Sequence, residues 1–396
     1  MLTRTLALAV LFQLATIALP LVQSVRAEVR PTRLTTSRLP TSGELKSTQQ
    51  LVARPSPPTE ALQAVRHTSH VELTNSVVNE SILESQVFMD SAPMQGSFQT
   101  CHPNVCEAHW FAGFEATFLK PHFTSNPAYT LMESDGSSFE SFSQVEFDYD
   151  LQFAPRVFVG LQMNEEIGFR ATWWHFDNDP SVLTAQPPAN GFGSITPPPF
   201  GTVDISTSIP GSTFQAGTGL TAYTLDLDVT RQYCISHWRI GAFGGLRYAE
   251  IDQNYLAQTT NASGALTGQI DYEHGLSGIG PTMGLYASVP VANRIELFSE
   301  ARGSILFGEA TSRLTAGEDL DLTTPFTTTT TASRDEVMTI GEVELGLRWQ
   351  GCRRRCWQPF GSVALEGQTW GDVGNATSEE GSLGFFGFNA SFGFQL

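Results

Sequence analysis

The sequence predicts an all-β protein: a transmembrane antiparallel up-and-down β-barrel of about ten strands (about 8 to 12), with a disordered N-terminal extension. Three observations predict this fold. Side chains alternate between apolar and polar in many segments, the connections alternate between long and short, and an apolar-aromatic strand ends the chain. The predicted domains are a signal peptide over residues 1–27, a flexible periplasmic extension over residues 28–107 and the barrel over residues 108–396.

The first residues have the features of an export signal. Arg4 precedes an apolar run from Leu6 to Leu19, and Val25-Arg26-Ala27 supplies small residues where a signal peptidase cleaves. No later stretch approaches the roughly 20 apolar residues that a membrane-spanning helix needs. We therefore expect export through a cleaved signal peptide, without a helical anchor.

The composition of the following segments separates a tail from a β unit. Residues 28–100 are rich in Ser, Thr, Pro, Gln and Glu and show no period of two or 3.6 residues, which predicts a flexible extension. The whole chain holds 35 Gly, 27 Phe and 7 Trp with only 16% charged residues, which favours one large β unit. The 40 acidic against 22 basic residues, a net charge of -18, argue against nucleic acid as a partner.

A period of two residues recurs from Trp110 onward. In one segment Leu345, Leu347 and Trp349 share a face, and Glu344 and Arg348 share the other. The segments with this pattern predict strands near 108–119, 147–162, 166–176, 221–233, 237–254, 271–288, 293–307, 335–350, 357–370 and 383–396.

The connections between these strands favour a membrane barrel over a soluble sandwich. The first, third, fifth, seventh and ninth links are long, including residues 177–220 and 308–334, whereas the others are brief. Short periplasmic turns that alternate with long outer loops, on an even number of strands, are typical of bacterial outer-membrane barrels. A sandwich has no reason to produce this alternation.

The last strand indicates how the ring closes. Phe388, Ala390, Phe392, Phe394 and Leu396 occupy alternate positions up to the C-terminus, which resembles the signal that the barrel-assembly machinery reads. An aromatic edge strand would aggregate unless it were paired, and closure of the barrel pairs it. The expected partners are therefore this machinery and outer-membrane lipids. Acidic residues of the outer links, such as Asp177 and Glu318, are either solvated or bridged to lipopolysaccharide through divalent ions, so lipopolysaccharide is a further expected partner. The sequence leaves a homo-oligomer open.

Several motifs resemble one known family. Trp110-Phe111-Ala112-Gly113-Phe114-Glu115, Trp174-His175-Phe176-Asp177 and Glu366-Gly367-Gln368-Thr369-Trp370 resemble segments of the Legionella-type pore-forming major outer-membrane proteins. The Phe-rich, Cys-containing version is similar to the planctomycete branch of that family. The resemblance runs in order over about residues 110–396 and does not cover residues 28–100. It implies pore formation, or ion transport, without defining a solute.

The number of strands limits the width of the lumen. About eight strands are filled by side chains, whereas 16 to 18 leave an aqueous channel. Ten strands predict a narrow, polar, partly plugged lumen, unless the long link at 177–220 adds strands such as Val203–Ile209.

Alternate residues of a strand face the lumen, and we call these positions inward by strand parity. The charged side chains at these positions are the candidate pore-lining residues. They are Glu115, Asp148, Asp150, Arg156, Arg170, Asp226, Asp228, Arg239, Arg247, Glu296, Glu300, Arg302, Glu342, Glu344, Arg348 and Glu366. Acids outnumber bases ten to six in this set. Two interpretations stay open: the charges pair across the lumen and fill it, or an unpaired acidic excess faces water and favours cations.

The remaining alternatives concern chemistry and cysteines. A non-conducting structural anchor is the second function and a barrel enzyme the third. His274 and Ser277 have opposite strand parity and cannot face each other, so no catalytic residue is predicted. The sequence also predicts no cofactor and no metal. Cys101 with Cys106, and Cys352 with Cys356, are expected to form two short-range disulfides that leave Cys234 over, because export favours disulfides and the spacing is not that of a zinc finger.

Overall fold

The structure is a computed structural model that describes residues 108–137, 140–163, 167–178, 180, 182–352 and 357–396. These residues contain strands and no helix, as predicted. The strands are β1 (His109–Phe123), β2 (Pro127–Ser134), β3 (Glu140–Glu146), β4 (Gln152–Gln162), β5 (Ile167–Asn178), β6 (Leu183–Ala185), β7 (Ser194–Thr196), β8 (Thr213–Ile235), β9 (Trp238–Thr260), β10 (Leu266–Ala292), β11 (Ile295–Glu318), β12 (Phe326–Gln350), β13 (Gln358–Gly371) and β14 (Leu383–Gln395). In this part of the chain no helix is long and apolar enough to cross a membrane.

Ten of these strands form one closed antiparallel ring. The order is β5-β4-β1-β14-β13-β12-β11-β10-β9-β8, and the ring closes where β5 pairs with β8 from Ile167–Arg231 to Asn178–Leu220. The C-terminal β14 lies between β1 and β13, so both of its edges are hydrogen-bonded. The predicted up-and-down barrel of ten strands is therefore confirmed, and closure satisfies the backbone groups that a membrane cannot hydrate.

The two faces of each ring strand have different surroundings. On β12 the apolar side chains of Leu345, Leu347 and Trp349 remain 48%, 46% and 45% exposed, while the residues between them turn into the ring. Four of the five aromatic residues of β14 behave in the same way, with Phe388 and Phe392 exposed on the outer wall, whereas Phe385 is buried inside. An apolar outer band is what a barrel presents to lipid.

Several strands continue far beyond the predicted ends. β8 to β12 contain 23, 23, 27, 24 and 25 residues, whereas a tilted strand needs about 9 to 11 residues to cross a bilayer. The fifth connection is reduced to residues 261–265 and the seventh to residues 319–325. The predicted long loops at these places are therefore mostly paired strand, because polar β-branched residues such as Thr327–Thr331 can extend without any apolar alternation.

The segment before β4 departs from the prediction. Residues 147–151 belong to no strand, so strand parity does not apply to Asp148 and Asp150. Phe147 and Tyr149 turn inward, 7% and 2% exposed, and the two aspartates turn outward. The prediction that Asp148 and Asp150 line the pore is therefore wrong, because burial of the two aromatic rings sets the direction of this segment.

The long link between β5 and β8 adds no ring strand. It contains β6, which pairs with β8, and β7, which pairs with β2 in a separate three-stranded sheet. Residues 203–209 make only isolated bridges, such as Ile195–Thr207. The link instead contributes Ile195, Phe200 and Ile205 to the buried apolar core.

Aromatic side chains pack in the half of the barrel nearer the long connections. Trp174, Phe176, Trp370 and Phe385 are at most 2% exposed, and the rings of Phe176 and Phe385 lie 4.9 Å apart. This apolar packing was not predicted, because only charged side chains were assigned to the lumen from the sequence. It follows that the lumen is polar only in part.

We predict that Leu345→Arg impairs assembly, because it places a charge on the lipid-facing wall. The expected cost is roughly 2 to 4 kcal/mol if the position lies near the bilayer midplane. The measurement is the fraction of unboiled protein that migrates as folded barrel in SDS gels. Leu322→Arg, in the exposed connection between β11 and β12, is the matched control and should fold normally. Equal folded fractions in the two variants would mean that the assigned faces are reversed.

Candidate functional site

Most of the predicted pore-lining residues come together inside the ring. After removal of Asp148 and Asp150 from the sixteen, fourteen lie on ring strands with inward parity. They are the acids Glu115, Asp226, Asp228, Glu296, Glu300, Glu342, Glu344 and Glu366 and the bases Arg156, Arg170, Arg239, Arg247, Arg302 and Arg348. Eight carboxylates thus face six guanidinium groups. Two members of this set, Asp228 on β8 and Glu366 on β13, are only 3% exposed.

Arg247 joins two walls of the barrel. It lies beside Asp226 in the pairing of β8 with β9, and its Nε and Nη2 atoms donate to Asp226 Oδ1 and Oδ2 at 2.5 and 2.9 Å. Its Nη1 and Nη2 atoms also donate to Glu342 Oε1 and Oε2, on β12, at 3.1 and 3.0 Å. The side chain is 2% exposed. The planar guanidinium fork therefore makes two bidentate contacts in a setting almost without water.

Arg302, on β11, also contacts carboxylates of β8. Its Nη2 atom donates to Asp228 Oδ2 at 2.8 Å, and its Nη1 atom lies 3.2 Å from Asp226 Oδ2. Its Nε atom lies 3.5 Å from Glu342 Oε2, the register neighbour of Arg302 on β12. Two arginines thus share Asp226 and Glu342, so that each carboxylate has more than one cationic partner.

Arg170 extends this network to β5. Its Nη2 atom lies 3.3 Å from Asp228 Oδ2 and 3.2 Å from Glu300 Oε1. The guanidinium groups of Arg170 and Arg302 also lie over the ring of Phe243, at 5.0 and 4.6 Å from its centre. An aromatic face stabilises cations, so Phe243 keeps the two arginines close in spite of their like charge.

A second group of ion pairs lies on β1, β4 and β13. Arg156 binds Glu115 through Nη1 and Glu366 through Nη2, the latter at 2.5 Å. Glu366 also accepts hydrogen bonds from Asn389 at 2.9 Å and from Gln368 at 2.8 Å. All the oxygens of this buried carboxylate are therefore used, as the burial of a charge requires.

Glu344 occupies a different position from the other carboxylates. It is directly opposite Glu300 on β11 and Glu366 on β13, so three inward carboxylates form a row across adjacent strands. Like charges opposite each other are destabilising. Glu300 and Glu366 each pair with an arginine, but no cationic side chain of the described residues lies within 4.0 Å of Glu344. Its hydrogen-bond donor is Asn389 Nδ2, at 3.1 Å.

We refer to these residues as the central charge band. Its seven carboxylates are Glu115, Asp226, Asp228, Glu300, Glu342, Glu344 and Glu366, and its four guanidinium groups are those of Arg156, Arg170, Arg247 and Arg302. Seven minus four leaves an excess of three carboxylates. Among all fourteen inward charges the excess is two, since eight carboxylates face six guanidinium groups. It is thus smaller than the excess of four counted from the sequence, and most of the band is paired.

The remaining inward charges lie nearer the short turns. Arg239 binds Glu296 at 3.3 Å between their Nη1 and Oε2 atoms. Arg348 Nη1 donates to the hydroxyl of Tyr286 at 2.9 Å, and its guanidinium lies 4.7 Å from the centre of the Phe298 ring. The partners Asn389, Gln368, Phe243 and Tyr286 were missed because only charged residues were considered. Strand parity alone would have found them.

The cysteine predictions are mostly outside the described residues. Cys101, Cys106 and Cys356 lie there, as do residues 1–107 with the signal peptide and the extension. Cys352 is exposed and forms no disulfide with a described residue. The two disulfides and the N-terminal segments stay predictions.

Within the described residues, no group of three or more His, Cys, Asp or Glu side chains is arranged to hold a metal ion.

The chain is similar to known proteins of the bacterial outer membrane. The family model described as the Legionella pneumophila major outer membrane protein precursor matches residues 103–355, more than half of the chain. A search of curated proteins finds no significant match.

Similar solved structures include the outer membrane protease OmpT from Escherichia coli, at 13% identity and a TM-score of 0.38, over 75% of this chain and 98% of that chain. The outer membrane protein OprG from Pseudomonas aeruginosa matches at 8% identity and a TM-score of 0.26, over 73% and 97%. The toluene transporter TodX from Pseudomonas putida matches at 10% identity and a TM-score of 0.26, over 74% and 90%. These values give no information about the activity of this chain.

We predict that Arg247→Met strongly destabilises the barrel, because it leaves Asp226 and Glu342 with fewer partners in a buried setting. The loss of one partner from a buried ion pair costs about 3 to 5 kcal/mol. The free energy of unfolding in denaturant, with the protein in lipid vesicles, is the measurement. Arg334→Met is the control: Arg334, whose side chain is 45% exposed, pairs with Glu336 and Glu379, and exposed pairs contribute about 0 to 1 kcal/mol each. Equal losses in both variants would contradict the assigned role of the band.

Proposed function

This chain belongs to the family of the Legionella pneumophila major outer membrane protein, and on that premise we propose that it is a porin-like protein of the outer membrane. It allows ions or small solutes to cross passively through a narrow lumen. As part of the same proposal we place it in the planctomycete-like branch, because its sequence is rich in Phe, with 27, and contains 5 Cys.

The central charge band carries this proposal. It forms a polar layer across the lumen, in contrast to the apolar packing around Trp174 and Trp370. Replacement of a buried ion pair by well-packed apolar residues is often neutral or stabilising, so filling of the interior alone does not require these charges. Rings of charged side chains are a known means of selecting ions in pores. We therefore assign the band the role of the constriction.

The charge of the band supports a preference for cations. Three carboxylates of the band exceed the number of its guanidinium groups, and Glu344 has no cationic partner among the described residues. Carboxylates that face the permeation path raise the local concentration of cations and repel anions. Glu344, which is partly accessible, is the residue to which we assign most of this effect.

The purified protein in a planar bilayer tests both parts of the proposal. We expect stepwise ion currents, and a reversal potential across a salt gradient that indicates preference for cations. Glu344→Gln should move this potential toward zero, since it removes a carboxylate that no arginine neutralises.

Two further variants test whether the change in selectivity comes from a charge inside the lumen. Glu273→Gln removes an equal charge from the outer face of β10 and should leave selectivity unchanged. Glu342→Gln instead leaves Arg247 and Arg302 with fewer anionic partners, so it should shift selectivity toward anions and also lower stability. Anion preference in the native channel would refute the assignment.

A non-conducting anchor is the second candidate. It is favoured by the low exposure of the band, in which the side chains of Asp228 and Arg302 are 0% and 5% exposed. In this case the barrel would hold residues 28–107 at the membrane. A correctly folded barrel that stays silent in the bilayer experiment would support the anchor and exclude the pore.

The proposal includes no catalytic reaction. His274 is 3% exposed on the inner face of β10, whereas Ser277 faces the outer wall, so these two side chains are not partners. Hydrolysis of lipid or peptide by the purified protein would contradict this part of the proposal.

Lipopolysaccharide is the proposed lipid partner of the outer wall. Glu250, Glu309 and Asp335 lie in one register row on that wall, directly beyond the apolar row that contains Ile279 and Phe307. Glu250, which has lipid-side parity, accepts hydrogen bonds at 2.7 Å from both Tyr223 and Tyr248. Carboxylates at this level suit contacts with lipid phosphates through divalent ions.

A further inference from the structure

The hairpin of β11 and β12 leaves one strand edge unpaired. β12 pairs with β11 along its whole length, as far as Phe326 opposite Glu318. On its other side β12 pairs with β13 only from Thr339, opposite Gly371. Residues 326–338 therefore have one hydrogen-bonded neighbour among the strands of the described residues. They lie at the end of the barrel that carries the long connections.

The part of this edge from Phe326 to Ser333 lacks the features that normally protect such strands, whereas its other end has the charges of Arg334, Asp335 and Glu336, and Arg334 pairs with Glu379 of the link between β13 and β14. Exposed edges are protected by charges, proline, bulges or a covering segment, because free N–H and C=O groups can pair with another chain. From Leu322 to Ser333 the sequence contains no charged residue, and the pairing with β11 shows no bulge. The run Thr327–Thr331 is uncharged, free of proline and rich in β-branched residues, which is a signature of β-aggregation.

The threonine side chains of the same run are fully available. All residues from Phe326 to Asp335 are exposed on both faces of the hairpin. Within the described chain, no protein group forms a hydrogen bond with the hydroxyls of Thr327–Thr331, whereas Ser333 nearby binds Glu309. Thr323, Thr324 and Pro325 precede the run. Stretches rich in Ser and Thr with Pro are typical of O-glycosylated segments.

We propose that Thr327–Thr331 is a site of O-linked glycosylation, and that the sugars cover the free edge of β12. In this reaction the Oγ1 atom of a threonine attacks the anomeric carbon of a diphosphate-activated sugar, carried by a nucleotide or a lipid. The new C–O bond forms as the bond from the sugar to the phosphate breaks. The phosphate leaves with the electron pair, and the hydroxyl proton passes to a base of the transferase.

The trypsin sites of the chain isolate this segment. Cleavage after Arg313 and Arg334 releases Leu314–Arg334, which contains the whole run. In protein purified from the outer membrane of the organism that makes it, mass spectrometry should find this peptide heavier by at least one sugar residue, attached within Thr327–Thr331. The neighbouring peptide Asp335–Arg348, with Thr339 on the barrel wall, is the internal control and should have its sequence mass. A Leu314–Arg334 peptide that is entirely unmodified overturns the proposal.

A second experiment tests the reason given for the modification. Protein made in a host without O-glycosylation, and folded in detergent, should form larger assemblies than its Thr329→Lys variant, because lysine protects an edge strand. Sedimentation velocity measures the two populations, and migration in unboiled SDS gels confirms that both barrels are folded. Equal association in the two proteins overturns the claim that the edge needs a cover.

Discussion

Arg247 and Arg302 connect opposite walls of the barrel through Asp226 and Glu342, and the burial of these four charges constrains the rest of the lumen. A charge taken out of water must have partners with good geometry, and each arginine satisfies this by binding two carboxylates on different strands. Lysine could not replace them, because its single ammonium lacks the planar fork that makes two bidentate contacts. The positions of β8, β9, β11 and β12 around the lumen are therefore coupled.

The aromatic packing and the ring closure fit around this band. Pairing of β5 with β8 closes the ring, so the membrane-spanning backbone has no free edge, and the interior is filled by inward side chains and by parts of the long links. At the end with long connections, Phe200 from the β5–β8 link packs against Tyr255 with 5.3 Å between ring centres, which holds the link against the barrel. The lumen therefore changes from apolar to charged along its axis, and the charged part is the constriction of the proposed pore.

The sequence allowed the ring strands and their two faces to be predicted, because alternation is a local property. It failed at Asp148 and Asp150, where the chain leaves the sheet and parity loses its meaning. It also failed for the outer parts of β11 and β12, since a threonine run has no apolar period to detect. Partners across the lumen, such as Arg247 with Glu342, could not be predicted at all. They depend on how the ring closes and on its stagger, which no single segment specifies.

Chemical labelling of the band tests the central claim most directly, namely that Glu344 lies on an accessible path that favours cations. Glu344→Cys, in a variant whose 5 native cysteines are replaced by serine, would be treated in vesicles with cationic and anionic thiosulfonate reagents of similar size. The account predicts that the introduced thiol reacts with both reagents and faster with the cationic one, because the band without Glu344 still has six carboxylates against four guanidinium groups. Faster reaction with the anionic reagent, or no reaction with either in a folded barrel, would contradict it.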